Sequence, residues 1–131
     1  LQESARLLRT SETRYTELFR SNPHPMWIYD IKSLRFLAVN NAAVARYGYS
    51  EDEFLAMTIA DIQPAEDLPK LQDNIEKRRH LLNASFDLAG IWRHRKKDGS
   101  LIAVEISSHI LQFNGRRAEA VLAHDVTERL Q

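Results

Sequence analysis

The sequence contains no cysteine. That excludes disulfides, thiolate metal sites, thiol nucleophiles and any cofactor anchored through a cysteine. Neither sign of charge dominates: 18 lysines and arginines balance 18 aspartates and glutamates, so nothing favours nucleic acid or an anionic membrane surface as a partner. Apolar runs are too short to span a bilayer and no signal peptide is visible, so a cytoplasmic chain without membrane contact of its own is expected. Repeats and low-complexity tracts are missing as well. What remains is the composition of an ordinary globular protein of 131 residues, enough for one domain around a single hydrophobic core. The chain starts at Leu1 without methionine and ends in the helix-like Glu128-Arg129-Leu130-Gln131, so it is expected to be a fragment of a longer protein.

The most informative stretch is Phe86 to Asp125, which reads as three strands joined by two turns. Asp98-Gly99 and Asn114-Gly115 are the turn signals, and both dipeptides favour two-residue type I′ hairpins, whose central residues need positive φ. Two-residue loops fix the register: Lys97 pairs with Ser100 and Phe113 with Arg116. One face of the meander then carries Trp92, His94, Ala103, Glu105, Ser107, His109, Ala120, Leu122 and His124. The other carries Ala89, Ile91, Arg93, Ile102, Val104, Ile106, Ile110, Val121 and Ala123, and its aliphatic centre should meet the core.

Upstream, residues 1–20 form an amphipathic helical pattern with Leu1, Leu8, Tyr15, Leu18 and Phe19 on its stripe. It reads equally as a helix on its own domain or the end of a coiled coil. Pro23 and Pro25 end it. Met26–Asp30 and Leu34–Val39 are strand-like, and Asn40-Asn41 is a helix start that runs to Gly48. Ser50-Glu51-Asp52-Glu53 is a capping box, Thr58–Asp61 a weaker one, and Asp67 is placed to cap a longer helix with stripe Leu68, Leu71, Ile75 and Leu82. Strands interrupted by a helical block indicate an α+β fold with helices on one face of an antiparallel sheet.

Four segments in order, Val39–Ala43, Tyr47–Phe54, Trp92–Ser100 and His124–Arg129, resemble the PAS domain over roughly residues 22–129, and are most similar to PAS modules of bacterial sensor histidine kinases and diguanylate cyclases. The resemblance implies a five-stranded antiparallel sheet of order 2-1-5-4-3, short helices on one face enclosing a ligand pocket, and an N-terminal helix that supports dimers. It divides the chain into a helix at 1–21, a sensor domain at 22–126 and the start of a linker at 127–131 leading to a C-terminal effector. It also implies a sensory and not a catalytic role for the fragment, with a filled-core interaction module as the alternative. Family cofactors are restricted by composition: a flavin photoadduct and a thiol-linked chromophore need the missing cysteine. Haem is disfavoured because the long helix has no histidine before His80 at its end.

Candidate residues follow. An apolar pocket is expected from Phe54, Met57, Ile62, Leu71, Ile75, Ile91, Val104, Ile106 and Val121, with Asn40 as its polar contact. A homodimer is expected through Leu8, Tyr15, Leu18, Phe19, Trp92 and Leu122. Signal output is expected through Asp125 and Thr127, as caps of the exit helix. The resemblance also implies an ion pair between Glu53 and Lys97. Ser107, His109 and Asp125 have the residue types of a hydrolase triad but no nucleophile elbow. His94, His109 and His124 share a predicted face, read as a hydrogen-bonded patch and not as a metal site.

Overall fold

The computed structural model describes residues 17–79 and 86–127. Elements follow in the order β1 (Met26–Asp30), β2 (Phe36–Val39), α1 (Asn41–Tyr47), α2 (Glu51–Leu55), two 3-10 turns (Ile59–Ile62 and Ala65–Asp67), α3 (Leu68–Arg79), β3 (Phe86–Arg95), β4 (Leu101–Phe113) and β5 (Arg116–Asp125). The five strands form one antiparallel sheet of order β2-β1-β5-β4-β3, the predicted topology. Leu1, Leu8, Tyr15, His80, Leu82 and the exit segment beyond Thr127 lie outside the described residues.

Local signals set the element ends. The Asn40 side chain caps α1 through the amide of Ala43, and Gly48 closes it with φ +87°, returning its N–H to Val44 O. Ser50 Oγ accepts from the amide of Glu53 at 3.1 Å while the Glu53 carboxylate accepts from the amide of Ser50 at 2.9 Å, a complete capping box on α2. The longer helix departs from expectation: Ala65–Asp67 form a separate 3-10 turn, and the Asp67 carboxylate is taken by a fork of hydrogen bonds from Arg93 at 2.7 and 3.1 Å. That fork ties the start of α3 to β3, a sheet edge.

The core lies between the helical block and one sheet face. Trp27, Tyr29 and Ile31 enter it from β1 and the residue after it; Val104, Ile106 and Ile110 from β4; Val121 and Ala123 from β5. Phe36, Tyr47, Phe54, Ile59, Ile62, Leu71 and Ile75 fill it from the other side. Its rings meet edge to face, Trp27 against Phe36 and Tyr47, Phe36 against Phe54. On the opposite sheet face Ile28, Ala118 and Ala120 form a second, smaller cluster with Leu37, Ala38, Leu111 and Phe113. Phe19, from the helical residues 17–21, packs onto it.

The second hairpin has the predicted register, Phe113 opposite Arg116 and Glu105 opposite His124, with Asn114 and Gly115 both at positive φ. The first does not. Arg95 pairs with Leu101 and Trp92 with Val104, one residue from the two-residue-loop count. The loop has three residues: Lys96 N donates to Ser100 O, Gly99 N to Lys96 O, and Gly99 alone takes φ +90°. This is the type I turn with a following left-handed residue. Since side chains alternate with period two, the slip exchanges the faces of β3. Trp92 and His94 are buried in the core, whereas Ile91 is 42% exposed. Trp92 is therefore not on the face assigned to a dimer contact, and Ile91 does not face the helices. His94 is separated from His109 and His124, whose partners Ala120 and Glu105 lie on the outer face.

Candidate functional site

A cavity of about 50 Å³ remains between the sheet and the helical block. Trp27 and Tyr29 of β1, Glu119 and Val121 of β5, Ile106 of β4, and Trp92 and His94 of β3 form its floor and one side. Ile59, Gln63, Leu71 and Asn74 close it from above. Room for a few waters is available, far below the ~300–1,000 Å³ of a site for a drug-sized ligand.

The lining is more polar than the predicted apolar pocket. Tyr29 and Glu119 are cross-strand partners, and the Tyr29 hydroxyl donates to Glu119 Oε2 at 2.6 Å. Tyr47 Oη lies 2.6 Å from His94 Nδ1. Burial pushes the His94 imidazole down to about 3 and the Tyr47 phenol upward, so both stay neutral near pH 7. A neutral phenol donating to Nδ1 satisfies both groups and leaves Nε2 as the protonated ring nitrogen. Gln63 is 4% exposed; its amide nitrogen donates to Ile59 O at 3.4 Å, and its carbonyl oxygen has no partner. An unsatisfied buried acceptor costs about 1–3 kcal/mol.

Leu71, Ile106 and Val121 line this cavity as expected from the sequence. Phe54, Ile62, Ile75 and Val104 are buried in the same core but pack away from the cavity, and Met57 is partly buried against it. Asn40 holds structure together instead of meeting the pocket. Its Oδ1 accepts from the amides of Ala43 at 3.0 Å and Met26 at 2.9 Å, and its Nδ2 donates to His24 O at 3.0 Å. Reasoning from sequence missed Trp27, Tyr29, Ile59, Gln63, Asn74, Trp92, His94 and Glu119. Glu119 was legible, because it has the same strand parity as core-facing Val121 and Ala123.

The walls are fastened at the β3 edge. Lys70 donates to Ile91 O at 3.0 Å and stands 4.2 Å over the Trp92 ring, which also occupies an otherwise open edge carbonyl. Arg93 lowers the Asp67 pKa chiefly by hydrogen bonding to it.

The predicted output residues form a second construction at the end of β5. Asp125 Oδ1 accepts from the Thr127 amide at 2.9 Å and hydroxyl at 2.6 Å, and Thr127 Oγ1 accepts from Ala103 N at 3.0 Å. Val126 N donates to Ala103 O at 2.8 Å. The other Asp125 oxygen takes Arg46 Nη1 at 3.3 Å. Burial alone would raise the Asp125 pKa, but the Thr127 hydrogen bonds and Arg46 together hold it below the ordinary value. Glu53 and Lys97 pair as expected, with Nζ 2.9 Å from Oε2. The triad types stay apart: Ser107 and His109 sit opposite Leu122 and Ala120, and Asp125 is engaged by Thr127 and Arg46. Among the described residues, no cluster of three or more His, Asp or Glu side chains is placed to hold a metal ion.

A sheet of order 2-1-5-4-3, with a helical block over a small central cavity and an acidic–threonine lock at the end of the last strand, defines a sensory domain architecture. Residues 23–128 match the PAS domain family, and the chain belongs to it. It is 27% identical over 127 residues to the methyl sulfide methyltransferase-associated sensor of Methanosarcina acetivorans; the match takes in 97% of this chain and 12% of that protein. The chain thus spans about an eighth of its curated relative. Its fold is similar to the PAS domain of an HTR-like protein from Haloarcula marismortui (TM-score 0.76, 19% identity, 95% of this chain and 99% of that one). It is also similar to a domain of a sensory box sensor histidine kinase/response regulator from Geobacter sulfurreducens (TM-score 0.71, 21% identity, 90% and 96%). The PAS domain is a sensory module, not a catalytic one. Among the described residues no helix is long and apolar enough to cross a membrane.

Proposed function

We propose that this domain senses a small molecule in the central cavity and passes its state to a C-terminal effector, in a multidomain protein of the sensor histidine kinase or diguanylate cyclase kind. The observation that carries the reading is the last turn of α1. Tyr47 reaches the cavity wall through His94 at 2.6 Å, and its chain neighbour Arg46 reaches Asp125 at 3.3 Å. A change at His94 that turns the end of α1 is transmitted to the exit strand over two side chains. The names of the Methanosarcina relative and the Geobacter neighbour, a sensor and a sensor kinase, support the regulatory role. The protein is proposed to act in the cytoplasm as a homodimer.

The test is Arg46→Ala, Asp125→Ala and Thr127→Ala in the full-length protein, assayed for effector output with and without stimulus. Exposed ion pairs contribute about 0–1 kcal/mol, so Arg46→Ala should fold normally yet change the ratio of stimulated to basal output. Unchanged output in all three variants would make the junction a passive tether. A second reading, an interaction module without ligand, is favoured by the small cavity of about 50 Å³. Native mass spectrometry separates the two, since a retained small molecule supports the sensor.

A further inference from the structure

We propose that the cavity selects a small uncharged molecule with an N–H or O–H donor beside an acceptor, the pattern of a primary amide, and that Gln63 is the selecting residue. The inference rests on the reading of the cavity as the sensory site and names what that site takes.

The orientation of Gln63 is set by its surroundings. Its amide nitrogen points at Ile59 O, 3.4 Å away. Exchanging nitrogen and oxygen would place two carbonyl oxygens face to face, so the oxygen is the atom left over. That oxygen is buried, has no partner, and belongs to a residue lining the cavity. A donor that enters the cavity and reaches it would satisfy it.

The other polar groups in the wall favour the same partner. The Tyr29 hydroxyl is spent on Glu119 Oε2. His94 commits Nδ1 to Tyr47, which leaves its Nε2–H to donate to an acceptor. Asn74 adds an amide from α3. Trp27, Ile59, Leu71, Ile106 and Val121 make the remaining surface apolar, which disfavours a charged solute. A volume of about 50 Å³ restricts the occupant to a few heavy atoms. An acceptor-only molecule of the same shape would bring its oxygen against Gln63 and leave the orphan unsatisfied.

Acetamide and acetone make the comparison, because they differ little in shape and only the first carries N–H donors. Each is titrated into the ¹⁵N-labelled 131-residue chain, following the Gln63 side-chain amide and the Trp92 indole by NMR. Acetamide should shift these signals saturably, with acetone weaker by roughly tenfold or more. In Gln63→Met, of similar length but without the acceptor, the two probes should bind alike. Gln63→Leu provides a second variant if the first loses its native spectrum.

Equal binding of both probes to the parent, or an acetamide preference that survives in the variants, overturns the assignment of Gln63 while leaving the cavity as a ligand site. If neither probe shifts a cavity signal and Gln63 is satisfied by ordered water only, the inference falls together with the sensory reading of the cavity.

Discussion

The burial of His94 and of Asn40 has measurable consequences. The ordinary histidine value of 6.5 holds in the unfolded chain, whereas burial drives the folded value to about 3. Between these limits the unfolded state binds the extra proton. Stability is therefore complete above pH 6.5 and falls as the pH drops toward 3, by about 1.4 kcal/mol per pH unit. Urea unfolding between pH 7 and 5 should show this slope, and His94→Gln should flatten it whatever its own stability; an equally steep slope in the variant would mean that another group titrates. Asn40 satisfies the start of α1, the amide of Met26 and a loop carbonyl at once. Asn40→Ala strands three backbone groups and should cost about 2 kcal/mol or more in chemical denaturation. A loss below about 0.5 kcal/mol would show that water replaces the side chain without penalty.

At the scale of elements, the hairpins separate what was legible from what was not. Asn114-Gly115 specified its turn because two consecutive residues at positive φ admit only the type I′ geometry with a two-residue loop. Asp98-Gly99 permits that loop and also a three-residue one with only the glycine left-handed. The choice was decided by what β3 must bury. The three-residue loop puts Trp92 and His94 in the core and Ile91 outside, while the shorter loop would bury Arg93. A tertiary cost thus overrode a local signal, and the cavity residues of β3 were lost to the sequence reading with it. The α1 and α2 caps were legible because they depend on neighbours in sequence, whereas the Glu53–Lys97 pair, 44 residues apart, was expected only from the family resemblance. Gln63 was not, since nothing local distinguishes a glutamine in a 3-10 connection that faces a cavity. Gly99→Ala should cost about 1 kcal/mol for the left-handed backbone. Deleting Lys97 leaves Asp98-Gly99 as a two-residue loop between Lys96 and Ser100 without moving the pairing of β3 on β4, so the variant should keep a cooperative transition and lose only the Lys97 contacts with Glu53 and Tyr47 O. A deletion variant without a cooperative transition would show that β3 follows the loop length and not the burial of Trp92 and His94.

For the whole molecule the open question is what the outer sheet face and the N-terminal helix do together. Two adjacent helical residues have opposite surroundings. Phe19 packs on the cluster of Ile28, Ala118 and Ala120, while Leu18 is 70% exposed. Beside them a groove of about 260 Å³ runs along Ile28, Leu37, Leu55 and Phe113. Phe19 therefore belongs to the domain's own fold, and Leu18 is free to meet a second copy. Leu122, half-buried opposite Met26, continues that surface. If the domain dimerises there, Leu18→Glu should separate the copies and leave the melting temperature of the monomer unchanged, because a charge at an exposed helical position costs the fold little. Phe19→Glu should lower the melting temperature itself by burying a carboxylate against apolar side chains. Sedimentation equilibrium of the 131-residue chain should then give a dimer that Leu18→Glu and removal of residues 1–20 each convert to a monomer. A dimer that persists in both would move the contact off the helix entirely. A monomer from the outset would mean that residues 17–21 only cover their own sheet.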